Sequence, residues 1–266
     1  MKNVAWYAIF GDTVANFPHL PAKRLKPLAK RESPQPAHVT IARTLGVAIV
    51  TGDYPPGATI QGEFELADRF GAARNVIREA LRMLAAKGLI ESRRRTGTRV
   101  RGRADWNLLD PEVLEWMFEG APPLAFVKSL FELRLIVEPA AAALAAQHRT
   151  MRQLSRMGYV LELMTQYGLD SKKGQAADEQ FHAILLEATH NELLGSLAVS
   201  ISSAVRWTTF FKHRSAIDYI DSIPHHQTLF DAIARADTAA ARDAATDLIL
   251  QARADTETAL ASDHPN

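Results

Sequence analysis

A chain of 266 residues, 47% hydrophobic and 23% charged, has room for two ordinary domains and the composition of a folded globular protein, which excludes wholesale disorder. It contains no cysteine, so disulfides, thiolate metal sites and cysteine nucleophiles are excluded, and a reducing compartment suits it. No apolar run reaches the roughly 20 residues of a membrane span. Residues 1–17 lack the clean apolar core and small-residue cleavage site of a secretion signal, so a cytoplasmic protein with no membrane partner is expected.

The net charge of +1 hides an asymmetry. Residues 1–103 hold 18 of the 31 Lys and Arg and 8 of the 30 Asp and Glu, a balance of +10; the remainder stands at −9. A basic first part joined to an acidic second part points to two domains, the first facing a polyanion.

Residues 1–37 show no sustained periodicity and turn rich in proline and basic residues, which reads as a flexible N-terminal extension. From Val39, apolar residues at Ile41, Leu45, Ala48 and Ile49 have helical spacing, stopped by Gly52 and the turn of residues 53–57. A second short helix fits residues 62–70, with Phe64, Ala67 and Phe70 apolar and Glu63 and Glu65 in its first turn. A third, residues 74–87, carries Ile77, Leu81 and Leu84 on its inner face and ends at Gly88. Residues 89–92 and 98–100 are short strand-like pieces around a basic tip, Arg93-Arg94-Arg95-Thr96-Gly97.

Three short helices and a basic hairpin make a winged helix-turn-helix, expected over residues 38–103. Arg74, Asn75 and Arg78 lie at the start of the third helix, the end that enters the major groove. Arg74, Arg78 and Arg82 share one face, opposite Ile77 and Leu84. Arginine can fork onto guanine and asparagine onto adenine. In the wing, Arg94, Thr96 and Gly97 would meet phosphate or the minor groove. A solvated arginine face explains the stripe equally well by itself; stripe, hairpin and domain charge together favour double-stranded DNA as the partner.

Residues 104–123 read as a linker with a short helix started by Pro111. Residues 124–262 are helical throughout, with stretches at 124–147, 151–167, 176–189, 192–211, 223–236 and 238–262. The expected fold is mainly α: an N-terminal winged helix-turn-helix with a small β-wing, then an antiparallel all-α bundle of the kind that houses ligands between facing helices.

The segment from Arg74 to Leu84, with Gly88-Leu89-Ile90 and Gly97-Thr98-Arg99-Val100, resembles the recognition helix and wing of the GntR family of bacterial transcription regulators. The helical part is similar to the ligand-sensing FCD domain of its FadR-type branch, through Glu132-Leu133-Arg134 with Glu138-Pro139, Asp178-Glu179-Gln180-Phe181-His182, and residues 226–233. Trp106-Asn107-Leu108-Leu109-Asp110 and residues 201–206 look like the members that govern sugar-acid catabolism. The resemblance implies a homodimeric repressor, released from an operator of two half-sites by a small carboxylate such as a galactonate-like sugar acid.

It also implies a divalent metal, such as zinc, on one aspartate and three histidines. Asp178, His182 and His226 match three of those positions; His226 rather than His225 keeps the motif's spacing to Ile233. The fourth falls at Leu248, which cannot ligate, and Gln251 is a turn away. Metal would then need water or effector oxygens to complete its shell. Alternatively these groups bind the acid directly, with Arg134 and, less directly implied, Asn191 and Arg206. Two other functions compete: a metal-dependent hydrolase on Asp178, His182 and His226, and a DNA-binding protein that senses no ligand. The hydrolase lacks a dedicated general base, a phosphate-binding glycine loop and a nucleophile elbow.

Overall fold

The computed structural model describes residues 35–93, 97–119, 122–214 and 221–263. Helix α1, Ala37–Val50, buries Ile41, Leu45 and Ile49 along one stripe. A two-residue strand, β1 (Thr59–Ile60), precedes α2, Glu63–Phe70. Glu65 accepts the Gly62 amide at 3.2 Å to open α2, and Gly71, at φ 58°, closes it. Helix α3, Arg74–Ala86, puts Ile77, Ala80 and Leu84 into the same core. Strands β2 (Ile90–Arg93) and β3 (Gly97–Val100) then pair antiparallel, Arg93 opposite Gly97. β1 adds to the outside of β3, so the expected hairpin is one part of a three-stranded sheet in the order β1-β3-β2. Two residues carry no readable alternation, which is why β1 escapes sequence patterning.

Helix α4, Pro111–Glu119, is buried on two sides. Val113, Trp116 and Met117 join the core of the winged helix, while Leu114 and Phe118 join a core formed with Val127, Phe131, Ala204 and Ile249. The contact with α1 depends on Gly46: a Cβ there would lie 2.3 Å from the Trp116 ring. Lys87, nearly buried, meets Asp110 at 2.7 Å and Glu112 at 2.6 Å, tying the end of α3 to the start of α4.

The remaining helices are α5 (Leu124–His148), α6 (Met151–Tyr167), α7 (Lys172–Glu187), α8 (Glu192–Ser196), α9 (Ala198–Arg214), α10 (Ile223–Ala234) and α11 (Thr238–Asp263). α5 packs on α11 and α7, and α7 lies between α6 and α9. α7 begins four residues before its expected start, because Ser171 caps it by accepting the Gly174 amide at 3.0 Å. The stretch expected as one helix over 192–211 is two, broken at Leu197, whose amide bonds the Leu194 carbonyl at 3.1 Å. No helix among the described residues is long and apolar enough to cross a membrane.

Candidate DNA-reading face and effector site

Arg74, Asn75, Arg78 and Arg82 are all exposed on α3. Glu63, in the first turn of α2, accepts Arg78 Nε at 3.3 Å and Nη2 at 2.9 Å, and lies 3.8 Å from Arg74 Nη2. The hydrogen bonds from Arg78 hold the Glu63 carboxyl below its usual range, against the opposing effect of partial burial. This pairing uses the side edge of the Arg78 guanidinium, Nε and Nη2, and does not engage Nη1. Arg82 lies 3.6 Å from Glu79. Phe64, apolar in the sequence pattern of α2, is 69% exposed, and it is Leu66 that is buried. Its ring lies under Arg74, whose guanidinium carbon is 3.8 Å from the centroid. Gly97 takes φ 78° where the strand leaves the wing tip; Arg94 and Thr96 lie outside the described residues.

In the bundle, Arg134, Asp178, His182 and His226 come together with Glu138, and none is more than 3% exposed. Arg134 Nε donates to Glu138 Oε1 at 2.6 Å, and His182 Nδ1 meets Glu138 Oε2 at 2.5 Å. His226 Nδ1 donates to the Ser222 carbonyl at 2.8 Å, since a carbonyl can only accept. Thr209 donates to Asp178 Oδ2 at 2.9 Å. Each of the three central side chains is thus held from behind. Its front atom faces the others: His226 Nε2 is 3.0 Å and His182 Nε2 3.5 Å from Asp178 Oδ1. Asp178 Oδ1 and His226 Nε2 are buried without a satisfied hydrogen bond.

The other expected residues lie elsewhere. Asn191 caps α8, accepting the amides of Leu193 and Leu194, on the rim of an open cleft of about 730 Å³ with His148 and His190. Arg206 is exposed and lies over the Trp207 ring. Leu248 is buried in an apolar core with Phe181, Leu229 and Ile233. It is His226, not the half-buried His225, whose ring meets Asp178. In the sequence, Glu138 falls within a motif but is given no role in the site, and Thr209 is missed. Glu138 stands four residues after Arg134, a spacing that reads as a surface ion pair until tertiary packing buries both.

A family model described as "Bacterial regulatory proteins, gntR family" matches residues 38–100, and one described as "FCD domain" matches residues 129–251. The galactonate operon transcriptional repressor of Escherichia coli K12 is 37% identical over 212 residues, 79% of this chain and 92% of that protein. The Uxu operon transcriptional regulator of the same organism is 32% identical over 151 residues, 56% of this chain and 57% of its own. The chain belongs to the gntR family. Among solved structures, the Listeria monocytogenes protein Lar has the same fold, with a TM-score of 0.59 at 16% identity over 83% of this chain and 96% of that one.

As a gntR-family protein the chain is a DNA-binding transcriptional regulator and not an enzyme, which removes the hydrolase reading of Asp178, His182 and His226. The cluster has the chemistry of a cation site. With both Nδ1 atoms committed as donors, each neutral ring turns a lone pair towards the Asp178 oxygen, and three acceptors facing one another repel unless a positive charge lies among them. Without a metal, a proton does this work. Burial alone would lower the His182 pKa, but Glu138 and Asp178 on its two sides raise it to about 9. Burial likewise opposes ionisation of Glu138, and the charges of Arg134 and His182 override it, to about 2. Asp178 is held well below the usual carboxylate range, the two imidazoles outweighing its burial.

Proposed function

We propose that the chain is a homodimeric repressor of sugar-acid catabolism genes, released from a two-half-site operator when a small hydroxycarboxylate reaches the buried cluster. The observation that carries this reading is the convergence of His182 Nε2, His226 Nε2 and Asp178 Oδ1, each side chain fixed from behind, with Asp178 Oδ1 and His226 Nε2 buried without a satisfied hydrogen bond. Asp178, His182 and His226 would hold a divalent cation such as zinc, which when bound supplies positive charge for carboxylate and hydroxyl oxygens. With Arg134 positive and Glu138 and Asp178 negative, the loaded cluster carries one net positive charge, the complement of one carboxylate. Leucine at position 248 brings no fourth protein ligand, which leaves room in the shell for oxygens of the acid. Arg134 contributes forked donors suited to a carboxylate. The galactonate and Uxu regulators among the relatives support the sugar-acid class.

Contiguous packing offers a route to the DNA. α9 holds Asp178 through Thr209; it meets α4 through Ala204, and the turn just before α4 through Ser200, whose hydroxyl donates to the Leu109 carbonyl at 2.6 Å. α4 in turn is locked to α1 by Trp116 against Gly46. An acid that favours one placement of α9 shifts the population of dimer arrangements away from the half-site spacing of the operator. A coupling of about 1–3 kcal/mol gives a several-fold to hundredfold loss of operator affinity.

Thermal melting with zinc or with chelator, against galactonate, gluconate, galacturonate and their keto-deoxy derivatives, tests the reading. One acid should raise the melting point, by an added stability of about 2.7 kcal/mol at 100 times its dissociation constant. Chelation should abolish the shift. A flat panel would remove the sugar-acid effector and favour a DNA-binding protein that senses none of these ligands.

A further inference from the structure

Large aromatic rings on an exposed surface are unremarkable when isolated, but the surroundings of Phe64 are specific. It stands in the first turn of α2, next to Glu63, which grips two arginines of α3. One face of its ring is covered by the Arg74 guanidinium at 3.8 Å, a contact close enough to limit where that guanidinium can point. The rest of the ring stays open, at 69% exposure, while the helix turns Leu66 inward to the core. The first turns of α2 and α3 therefore present one composite surface: two arginines braced by a carboxylate, and an apolar ring beside them.

We propose that Phe64 is a base-reading residue, whose ring packs on the C5-methyl group of a thymine next to the guanine taken by Arg74. The chemistry selects this partner. Phosphates and sugars reward donors, which a phenyl ring does not have, whereas the thymine methyl is the apolar group that the major groove displays. Covering it with the ring removes apolar surface from water on both sides, and deoxyuridine or cytosine at that position leaves the ring against nothing of matching character. The stacked Arg74 adds a second constraint, because its position relative to the ring ties the guanine and the thymine to neighbouring base pairs. The inference rests on the first turn of α3 entering the groove.

The experiment selects duplexes from a randomised library with the full chain, then replaces each selected thymine singly by deoxyuridine and measures binding by fluorescence anisotropy. For the wild type, one thymine per half-site, adjacent to a guanine, should lose about fourfold in affinity on losing its methyl. Phe64→Ala should lose a similar factor on the thymine duplex and be indifferent to the replacement, with an unchanged melting point because the side chain is exposed. Phe64→Leu, which keeps an apolar group but not the ring, should retain part of the preference. Arg78→Ala is the control for the groove reading and should weaken binding while keeping the thymine preference. The proposal is overturned if Phe64→Ala discriminates thymine from deoxyuridine as the wild type does, if no thymine is methyl-sensitive, or if Phe64→Ala weakens selected and random duplexes equally. Failure to enrich any sequence, or Arg78→Ala binding as the wild type does, would instead remove the groove reading of α3 and this inference with it.

Discussion

His226 Nε2 and Asp178 Oδ1 face each other 3.0 Å apart in the protein interior, and neither has a satisfied hydrogen bond there. With Nδ1 of the same ring donating to Ser222, the pair is two acceptors in contact, an arrangement that costs free energy unless a cation or proton lies between them. Native mass spectrometry of metal-free protein given zinc should show one ion per chain. His226→Ala and Asp178→Asn should each bind it at least about tenfold more weakly. Equal affinity in both variants would place the ion elsewhere.

The pH dependence has a definite sign. His182 is raised to about 9 from an ordinary 6.5, so folding favours its charged form. That contribution is complete below pH 6.5 and is lost as pH rises to about 9. Metal-free protein should therefore lose stability from this group across that window, while zinc affinity rises through it, because the metal takes the neutral ring. At pH 7.5, zinc uptake should release about one proton, measurable by calorimetry in two buffers of different ionisation heat. Uptake with no proton release would contradict a charged His182 in the metal-free state.

Glu138 holds the Arg134 guanidinium with one oxygen and the His182 ring with the other. Glu138→Gln leaves a buried arginine unpaired and should destabilise the fold by about 3–5 kcal/mol. Zinc affinity should also fall by about 10- to 100-fold, because the ring loses the group that fixes its tautomer. Chemical denaturation and zinc titration measure the two separately; a variant as stable as the wild type would mean the pair is not buried in solution.

These residues show where sequence reading stops. Periodicity placed α3 to within a residue, since Ile77 and Leu84 share one face whatever lies opposite, and α6 is found at its expected bounds. The aspartate and two histidines were legible through the family resemblance, whose metal positions they match. The buried role of Glu138 was not, because the charge pattern of one helix does not say which face the bundle covers. The same limit explains Phe64, apolar yet exposed, and Arg206, which lies on the surface over Trp207. β1 and the break at Leu197 are made by neighbours and single hydrogen bonds that have no period.

At the DNA face, Arg78 is exposed and braced by Glu63. Arg78→Ala should cost about 1–3 kcal/mol of operator binding and leave the acid-induced melting shift intact. Glu63→Gln should have a smaller effect, since it loosens the guanidinium without removing it. Equal loss of DNA and acid binding in Arg78→Ala would mean that the residue is structural.

Gly46→Ala tests the link between the two parts of the chain. The added Cβ would fall 2.3 Å from the Trp116 ring, so α1 and α4 must separate. The fold should lose about 1–3 kcal/mol. The acid should still raise the melting point, but its effect on DNA affinity should shrink. An undiminished effect would show that the signal does not pass through α4.

The most direct measurement is the affinity of the zinc-loaded chain for a selected duplex as galactonate is added, followed by fluorescence anisotropy and repeated with Asp178→Asn. The predicted result is a several-fold to roughly hundredfold weakening in the wild type, absent in the variant and after chelation. Acid that raises the melting point while leaving duplex affinity unchanged would contradict the proposed control of DNA binding by the buried cluster.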